Sequence, residues 1–280
     1  MRYDYVQPAD DLLQYVGSYY VMEMPEAVAD IVRVEIPHIR FLVRGETELQ
    51  HGDAAVSYPS PMTLLCGPSM GAGRAAVSPG TMIVGASITP LGWQMMVGCP
   101  MDRLADHKVP LEQIRECDAT SIIDRLAIAA DDTDLFNAVD GFFRGLIMDK
   151  APVNRDFMDI VMEWLLDPTS PGLDVLASRV PVSSRQLDRL CRACFGASPK
   201  RLHRKFRILH ISNTLAVTDE TDWREIAGLS YFDQSHFIRD FKQLIGCTPG
   251  EFMRGKNMMI RFDLMKRQEI AHRSQLSQIG

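Results

Sequence analysis

The stretch FGASP, Phe195 to Pro199, returns fifty residues later as IGCTP, Ile245 to Pro249. A repeat at fixed spacing constrains a chain more than any other feature, because a duplicated segment folds as a duplicated unit. Setting each residue against the one fifty further on pairs Leu173 with Trp223, Leu176 with Ile226, Ala177 with Ala227 and Ser183 with Asp233. It also pairs Leu187 with Phe237, Arg189 with Arg239, Cys191 with Phe241, Gly196 with Gly246 and Pro199 with Pro249. Apolar falls on apolar, cap on cap and Arg on Arg. Two copies are too few for a solenoid, so the segment reads as a supersecondary unit used twice.

Each copy carries its own punctuation. Ser183 and Asp233 are good N-caps, since a short side-chain oxygen accepts from the free N–H groups of a first helical turn. Leu187, Leu190, Cys191 and Cys194 follow at the spacing of a buried helical face, and Phe237, Phe241 and Leu244 repeat it. Gly196 and Gly246 stop each helix in the left-handed conformation that glycine enters without a Cβ penalty. Ser198-Pro199 and Thr248-Pro249 then place a cap and an N1 proline at the start of a further helix.

A short helix precedes each capped one, around 173–180 and 223–229. Two helices joined by a tight turn form a helix-turn-helix, whose second helix lies in the DNA major groove. The residues off its buried face are the readers: Ser184, Arg185, Asp188, Arg189 and Arg192 in the first copy, Gln234, Ser235, Ile238 and Arg239 in the second. Arg and Gln there can bond guanine and adenine edges. One such face alone would favour a solvated, salt-bridged surface; the duplication favours double-stranded DNA. The connecting stretch 199–217 reads as one helix with Leu202, Phe206, Ile208 and Leu209 on its apolar side. Lys200, Arg201, Arg204, Lys205 and Arg207 are its candidate phosphate contacts.

The strings SSRQLDRLCRACFGASPKRLHRKFR and YFDQSHFIRDFKQLIGCTPGEF resemble the AraC family of bacterial transcription regulators over roughly Leu173 to Met253. The resemblance implies a transcription factor whose two-motif DNA-binding domain follows a domain that senses a small molecule or mediates dimerisation. RNA polymerase, a small-molecule effector and a second copy of the chain are partners it leaves open. The chain departs from the family pattern in three places. Only five residues separate Ala227 from Asp233, with Ser230-Tyr231 in place of the usual turn glycine. Pro181 stands in the first turn, and Cys191 replaces the usual Phe.

Charge divides the chain at the same place. Residues 1–170 hold 12 Lys and Arg against 25 Asp and Glu, a net of -13, and residues 171–280 hold 18 against 11, a net of +7. The sign changes at DPTSPG, Asp167 to Gly172, which reads as a linker. The expected domains are 1–168, acidic and sensing, and 169–280, basic and DNA-binding with a C-terminal tail. With 46% hydrophobic and 24% charged residues the chain fits a soluble protein. The acidic start and the lack of a long apolar run point to the cytoplasm, with no membrane partner. Six scattered cysteines suit reduced thiols, and Cys191 and Cys194, both on a buried face, suit core rather than metal.

Residues 1 to about 110 alternate apolar and polar over short runs broken by Gly and Pro, the pattern of an antiparallel sandwich or barrel. AraC-type sensor domains are described as cupin-like, so the resemblance implies a β-barrel to about 110, with helices over 111–167. The whole is then α+β: a cupin-like antiparallel β-barrel plus helices, followed by an all-α domain. Tyr20, His38, Phe41, Trp93 and Met95 are candidates for an effector pocket, and each also fits plain core. His38 and His51 are thirteen apart and His107 is alone, which gives poor support to a metal-dependent cupin enzyme. No catalytic residues, metal or cofactor are expected, and the reading is a non-enzymatic regulator. The rivals are such an enzyme with a DNA-binding tail, and an adaptor whose basic domain binds acidic protein. GPSMGAGRAA lacks the Lys of a phosphate loop and reads as a surface loop.

Overall fold

The computed structural model describes residues 1–52, 54–148, 154–217, 222–228, 231, 233–255 and 258–270. Its strands are β1 (Arg2–Val6), β2 (Val16–Met24), β3 (Val28–Val32), β4 (His38–Arg44), β5 (Glu46–His51), β6 (Ala54–Pro59), β7 (Met62–Cys66), β8 (Gly73–Val77), β9 (Thr81–Ile88) and β10 (Lys108–Pro110). They form a six-stranded sheet in the order β1-β2-β9-β4-β7-β10 and a four-stranded sheet in the order β3-β8-β5-β6. Every pairing is antiparallel, with Tyr20 opposite Gly85 and Phe41 opposite Val84.

The expected closed barrel is a sandwich instead. No described strand pair joins the edges β1 and β10 to the edges β3 and β6, so the two sheets face one another without closing. Alternation along the strands sorts the side chains. Tyr5, Tyr20, Leu42 and Ile83 turn between the sheets, with Val77 packed against them. Tyr19, Val21, Ile39, Phe41 and Val84 turn to the other face of the six-stranded sheet. There they meet α2 (Ala119–Ala127) and α3 (Asp132–Leu146), which a short turn α1 (Pro90–Gly92) and the stretch up to β10 precede. Tyr19 stacks on Phe136 and Phe143 at 5.9 and 5.8 Å between ring centres. β9 is buried along its whole length because both of its faces are covered.

The helices on the two sides of the linker share a core. α4 (Arg155–Leu166), capped by Asn154, which accepts from Phe157 N (3.2 Å), sends Phe157, Val161, Trp164 and Leu165 into one core with α5 (Leu173–Arg179), α6 (Ser184–Phe195), α7 (Pro199–Val217) and α9 (Gln234–Ile245). Trp164 stacks on His203 at 5.3 Å and donates through Nε1 to Pro171 O (2.8 Å). Side chains this buried each contribute about 1.5–3 kcal/mol, so α4 is braced by the helices after the linker. The remaining helices are α8 (Trp223–Gly228), α10 (Pro249–Met253) and α11 (Met258–Ile270). Residues 271–280 of the tail, which the sequence reads as helix, lie outside the described residues.

The same core takes in Val34, Ile36 and Met70 from the sandwich. Backbone bonds cross the junction, from Val34 N to Leu244 O and from Ala72 N to Gln243 O, both 2.9 Å. Gly196 and Gly246, at φ +83° and +93°, are the helix stops the repeat implies. They are also points of close approach: a Cβ would come within 2.5 Å of Pro68 at Gly196 and within 2.3 Å of Ile31 at Gly246. The repeated glycine therefore ends the helix and lets the sandwich reach it, once in each copy.

Candidate nucleic-acid interface

Both capped helices start where the sequence places their caps. Ser183 Oγ accepts from Gln186 N (3.3 Å) and Gln186 Oε1 accepts from Ser183 N (3.0 Å), a reciprocal capping box at α6. At α9, Asp233 Oδ1 accepts from Ser235 N (2.8 Å) and His236 N (3.4 Å). A second capping box, Thr248 with Glu251, starts α10. On the inner faces, Leu187, Cys191 and Cys194 of α6 and Phe237, Phe241 and Leu244 of α9 are buried, as their spacing requires. Burial pushes the Cys191 thiol up to about 12 and that of Cys194 up to about 11, so both stay protonated packing groups.

The outer faces carry the predicted readers. On α6, Ser184, Arg185, Arg189 and Arg192 are exposed and Asp188 is half-buried. Asp188 Oδ2 accepts from Arg192 Nε at 2.7 Å, one helical turn on, so these two neutralise each other in the free protein. On α9, Gln234, Ser235 and Arg239 are exposed, while Ile238 is half-buried against the core. Arg185, Arg189 and Arg239 form no ion pair with any described residue. Each helix thus presents two or more free polar side chains along its N-terminal half.

The connecting helix behaves differently from its sequence reading. Lys200 and Arg201 are exposed, as phosphate contacts would be. Lys205 is buried and donates to Glu35 O (2.7 Å), while Arg207 lies 3.8 Å over the Tyr231 ring. Arg204 Nε is 2.8 Å from Asp240 Oδ1. The reason is crowding: α7 has both motifs on its flanks and the sandwich beneath, so three of its five Lys and Arg side chains point into protein. Asp240 also accepts from the Tyr231 hydroxyl (3.0 Å), and Tyr231 packs edge-on to Phe237. Where the resemblance leads one to expect a turn glycine, a buried tyrosine tied to α9 stands instead. Ser230 lies outside the described residues.

A cavity of about 140 Å³ opens between the two sheets, lined by Tyr20, Met24, Ile31, Arg40, Leu42 and Leu49 among others. Of the five sequence candidates, Tyr20 lines it. His38 is buried beside Tyr20, its ring 6.1 Å away, and donates through Nδ1 to Ile36 O (2.8 Å). Phe41 faces α3, with Phe142 at 5.2 Å, and Trp93 sits in that same core with Nε1 donating to Cys99 O (2.7 Å). Met95 is half-buried in the turn after β9, where its carbonyl accepts from Met148 N (2.9 Å). The strand positions one step over, such as Leu42 next to Phe41, are the ones that reach the cavity. Ile260 and Asp263 of α11 also line it, which sequence reasoning missed. Their signal was the apolar Ile260 and Leu264 one turn apart beside the oppositely charged Asp263 and Arg267.

A family model described as a helix-turn-helix domain matches residues 176–255. This segment is an AraC-type helix-turn-helix domain. The chain is accordingly a DNA-binding transcription regulator. Among solved structures it is similar to ToxT from Vibrio cholerae in its P21 form, at 15% identity over 84% of this chain and 97% of that one, with a TM-score of 0.49. ToxT from Vibrio cholerae O395 bound to (E)-4-(8-methylnaphthalen-1-yl)but-3-enoic acid is 12% identical over 90% and 98%, again with a TM-score of 0.49. The AraC-like transcriptional activator CuxR is 10% identical over 74% and 85%, with a TM-score of 0.28. Likenesses this distant fix neither ligand nor partner. No curated protein matches the chain. Among the described residues no helix is long and apolar enough to cross a membrane, and no group of three or more His, Cys, Asp or Glu is placed to hold a metal ion.

Proposed function

We propose that this regulator reads an asymmetric DNA site with α6 in one major groove and α9 in the next, about 34 Å away on the same face of the duplex. The observation that carries the reading is the pair of exposed, capped helix faces at equivalent places in the repeat. Ser184, Arg185, Asp188, Arg189 and Arg192 serve one half-site, and Gln234, Ser235, Ile238 and Arg239 the other. Lys200 and Arg201 supply phosphate contacts. Residues 169–280 do the reading, in the cytoplasm and without catalysis. Residues 1–168 hold a small-molecule effector in the cavity between the sheets, whose walls are mostly apolar.

The test is selection of bound sequences from a random duplex pool, followed by titration of the enriched site at several salt concentrations. Two half-sites about 10 base pairs apart, bound roughly a thousandfold or more tighter than random DNA, are expected. Salt-sensitive binding with no enriched sequence would overturn the two-groove reading and favour an adaptor for polyanions.

A further inference from the structure

The C-terminal helix α11 is part of the cavity wall. Ile260 and Leu264 are buried in the core that α7 and α9 share, and Ile260 and Asp263 face the cavity. Asp263 is the centre of an ionic clasp between α11 and the sandwich. Its Oδ1 accepts from the hydroxyls of Tyr3 (2.8 Å) and Tyr5 on β1, and its Oδ2 accepts from Arg267 Nε (3.0 Å) and lies 3.6 Å from Arg33 Nη2. Arg267 is 2% exposed and stacks over the Tyr5 ring at 4.7 Å. One helix therefore ties β1 and Arg33 to the end of the second DNA-reading motif, since α11 begins five residues after α10 ends.

Size and charge restrict what the cavity can take. Its 140 Å³ is close to the roughly 150 Å³ of an engineered apolar cavity that binds benzene. A molecule of one or two fused rings fills it with α11 in place. The ions of the wall already have partners: Arg40 donates to Glu35 Oε1 (2.7 Å) and to the Tyr20 hydroxyl (2.8 Å), Asp263 has the partners above, Arg33 among them, and Asp30 Oδ1 accepts from Ile31 N (2.7 Å). A charged ligand would bring an ion with no partner waiting, and an unmatched buried charge is strongly disfavoured.

We propose that the cavity binds an uncharged, apolar ring compound, and that this ligand completes the seat of α11, so that cavity occupancy and docking of the C-terminal helix are coupled. The inference rests on the cavity being the effector site. Coupling is reciprocal: a ligand that binds better when α11 is docked favours docking by the same factor. Through α10 and α7 the docked helix braces the second motif against the sandwich, which is how the effector would reach DNA reading.

Full-length protein titrated calorimetrically with indole, and with indole-3-carboxylate as the charged counterpart, tests this, with amide hydrogen exchange followed on the same samples. Indole is expected to bind, the carboxylate at least about tenfold more weakly, and exchange across 258–270 and 2–6 to slow on indole binding. Asp263→Asn, and Ile260→Ala as a variant that leaves the ionic clasp untouched, are each expected to cut indole affinity about tenfold while still unfolding cooperatively. Indole binding that slows exchange in β2, β4 and β5 alone, with unchanged affinity in both variants, would overturn the role of α11 and leave the effector cavity standing. Tighter binding of the carboxylate would overturn the ligand class. Failure of both probes to bind would overturn the effector reading together with the inference.

Discussion

Arg189 and Arg239 occupy equivalent positions in the two copies of the repeat, both exposed and neither paired to a described residue. A free guanidinium on a recognition helix is the group best suited to the two acceptors of a guanine edge. Arg189→Ala and Arg239→Ala are each expected to weaken specific binding by about 1–3 kcal/mol while leaving binding to a scrambled duplex nearly unchanged. Fluorescence anisotropy on both duplexes decides, and an equal loss on the two would reassign the residue to phosphate contact. His38 poses a different test at the same scale. Burial first, with Arg40 and Arg267 adding to it against the opposing Glu35, lowers its pKa to about 3. Between pH 6.5 and that value the unfolded chain holds a proton the folded chain does not, so stability falls on acidification by up to about 1.4 kcal/mol per pH unit. Urea unfolding at pH 6.5 and 5.5, where the unfolded chain's Glu35 is still largely ionised, should show this loss in the wild type. His38→Phe should lessen it, leaving the part due to His203 and His210, which burial also lowers.

At the level of elements, the α9 cap is the most exposed weakness of the second motif, because the turn before it is short and its glycine is missing. Asp233 accepts from two backbone N–H groups, so Asp233→Ala is expected to cost about 1 kcal/mol of stability, and Asp233→Asn much less. Thermal unfolding of the three proteins measures it; equal melting of Asp233→Ala and wild type would show that Tyr231 and Asp240 hold the helix without the cap. What the sequence made legible follows from the range of the forces involved. Caps, glycine stops and buried stripes are written within one helix, and Ser183, Gly196, Asp233 and Gly246 all do what their residue types imply. Facing is not written so locally. The six-stranded sheet is apolar on both sides, with α2 and α3 on one face and the second sheet on the other, so alternation could not say that Leu42 rather than Phe41 meets the cavity. The sandwich edges and the placement of α4 with the helices beyond the linker depend on contacts between residues tens of positions apart, such as Trp164 with His203, and the reach of α11 back to β1 spans more than two hundred.

Across the whole molecule, the sandwich touches the DNA-reading half at the ends of α6 and α9 and along α7, and Lys205 lies in the middle of that contact. Its ammonium has left water for a site where the Glu35 carbonyl is its hydrogen-bond partner, 2.7 Å away. Burial lowers its pKa to about 7, with Arg33 and Arg201 adding to the fall while Asp106 and Glu35 oppose it. The folded pKa is the lower one, so between pH 7 and the ordinary lysine value the unfolded chain binds more protons than the folded chain. Stability from this group therefore rises with pH across that window, by up to about 1.4 kcal/mol per unit. Lys205→Met removes the titration and keeps the length of the side chain. Denaturant unfolding at pH 7 and 8.5 should show the wild type gaining on Lys205→Met by about 1–2 kcal/mol over that interval, before the buried thiols begin to pull the other way. Parallel behaviour of the two proteins would mean that water reaches the amine, and that the sandwich and the reading domain part far enough in solution to admit it. A closed contact at Lys205 would make the junction a rigid support, through which the cavity's occupancy can be felt at α9.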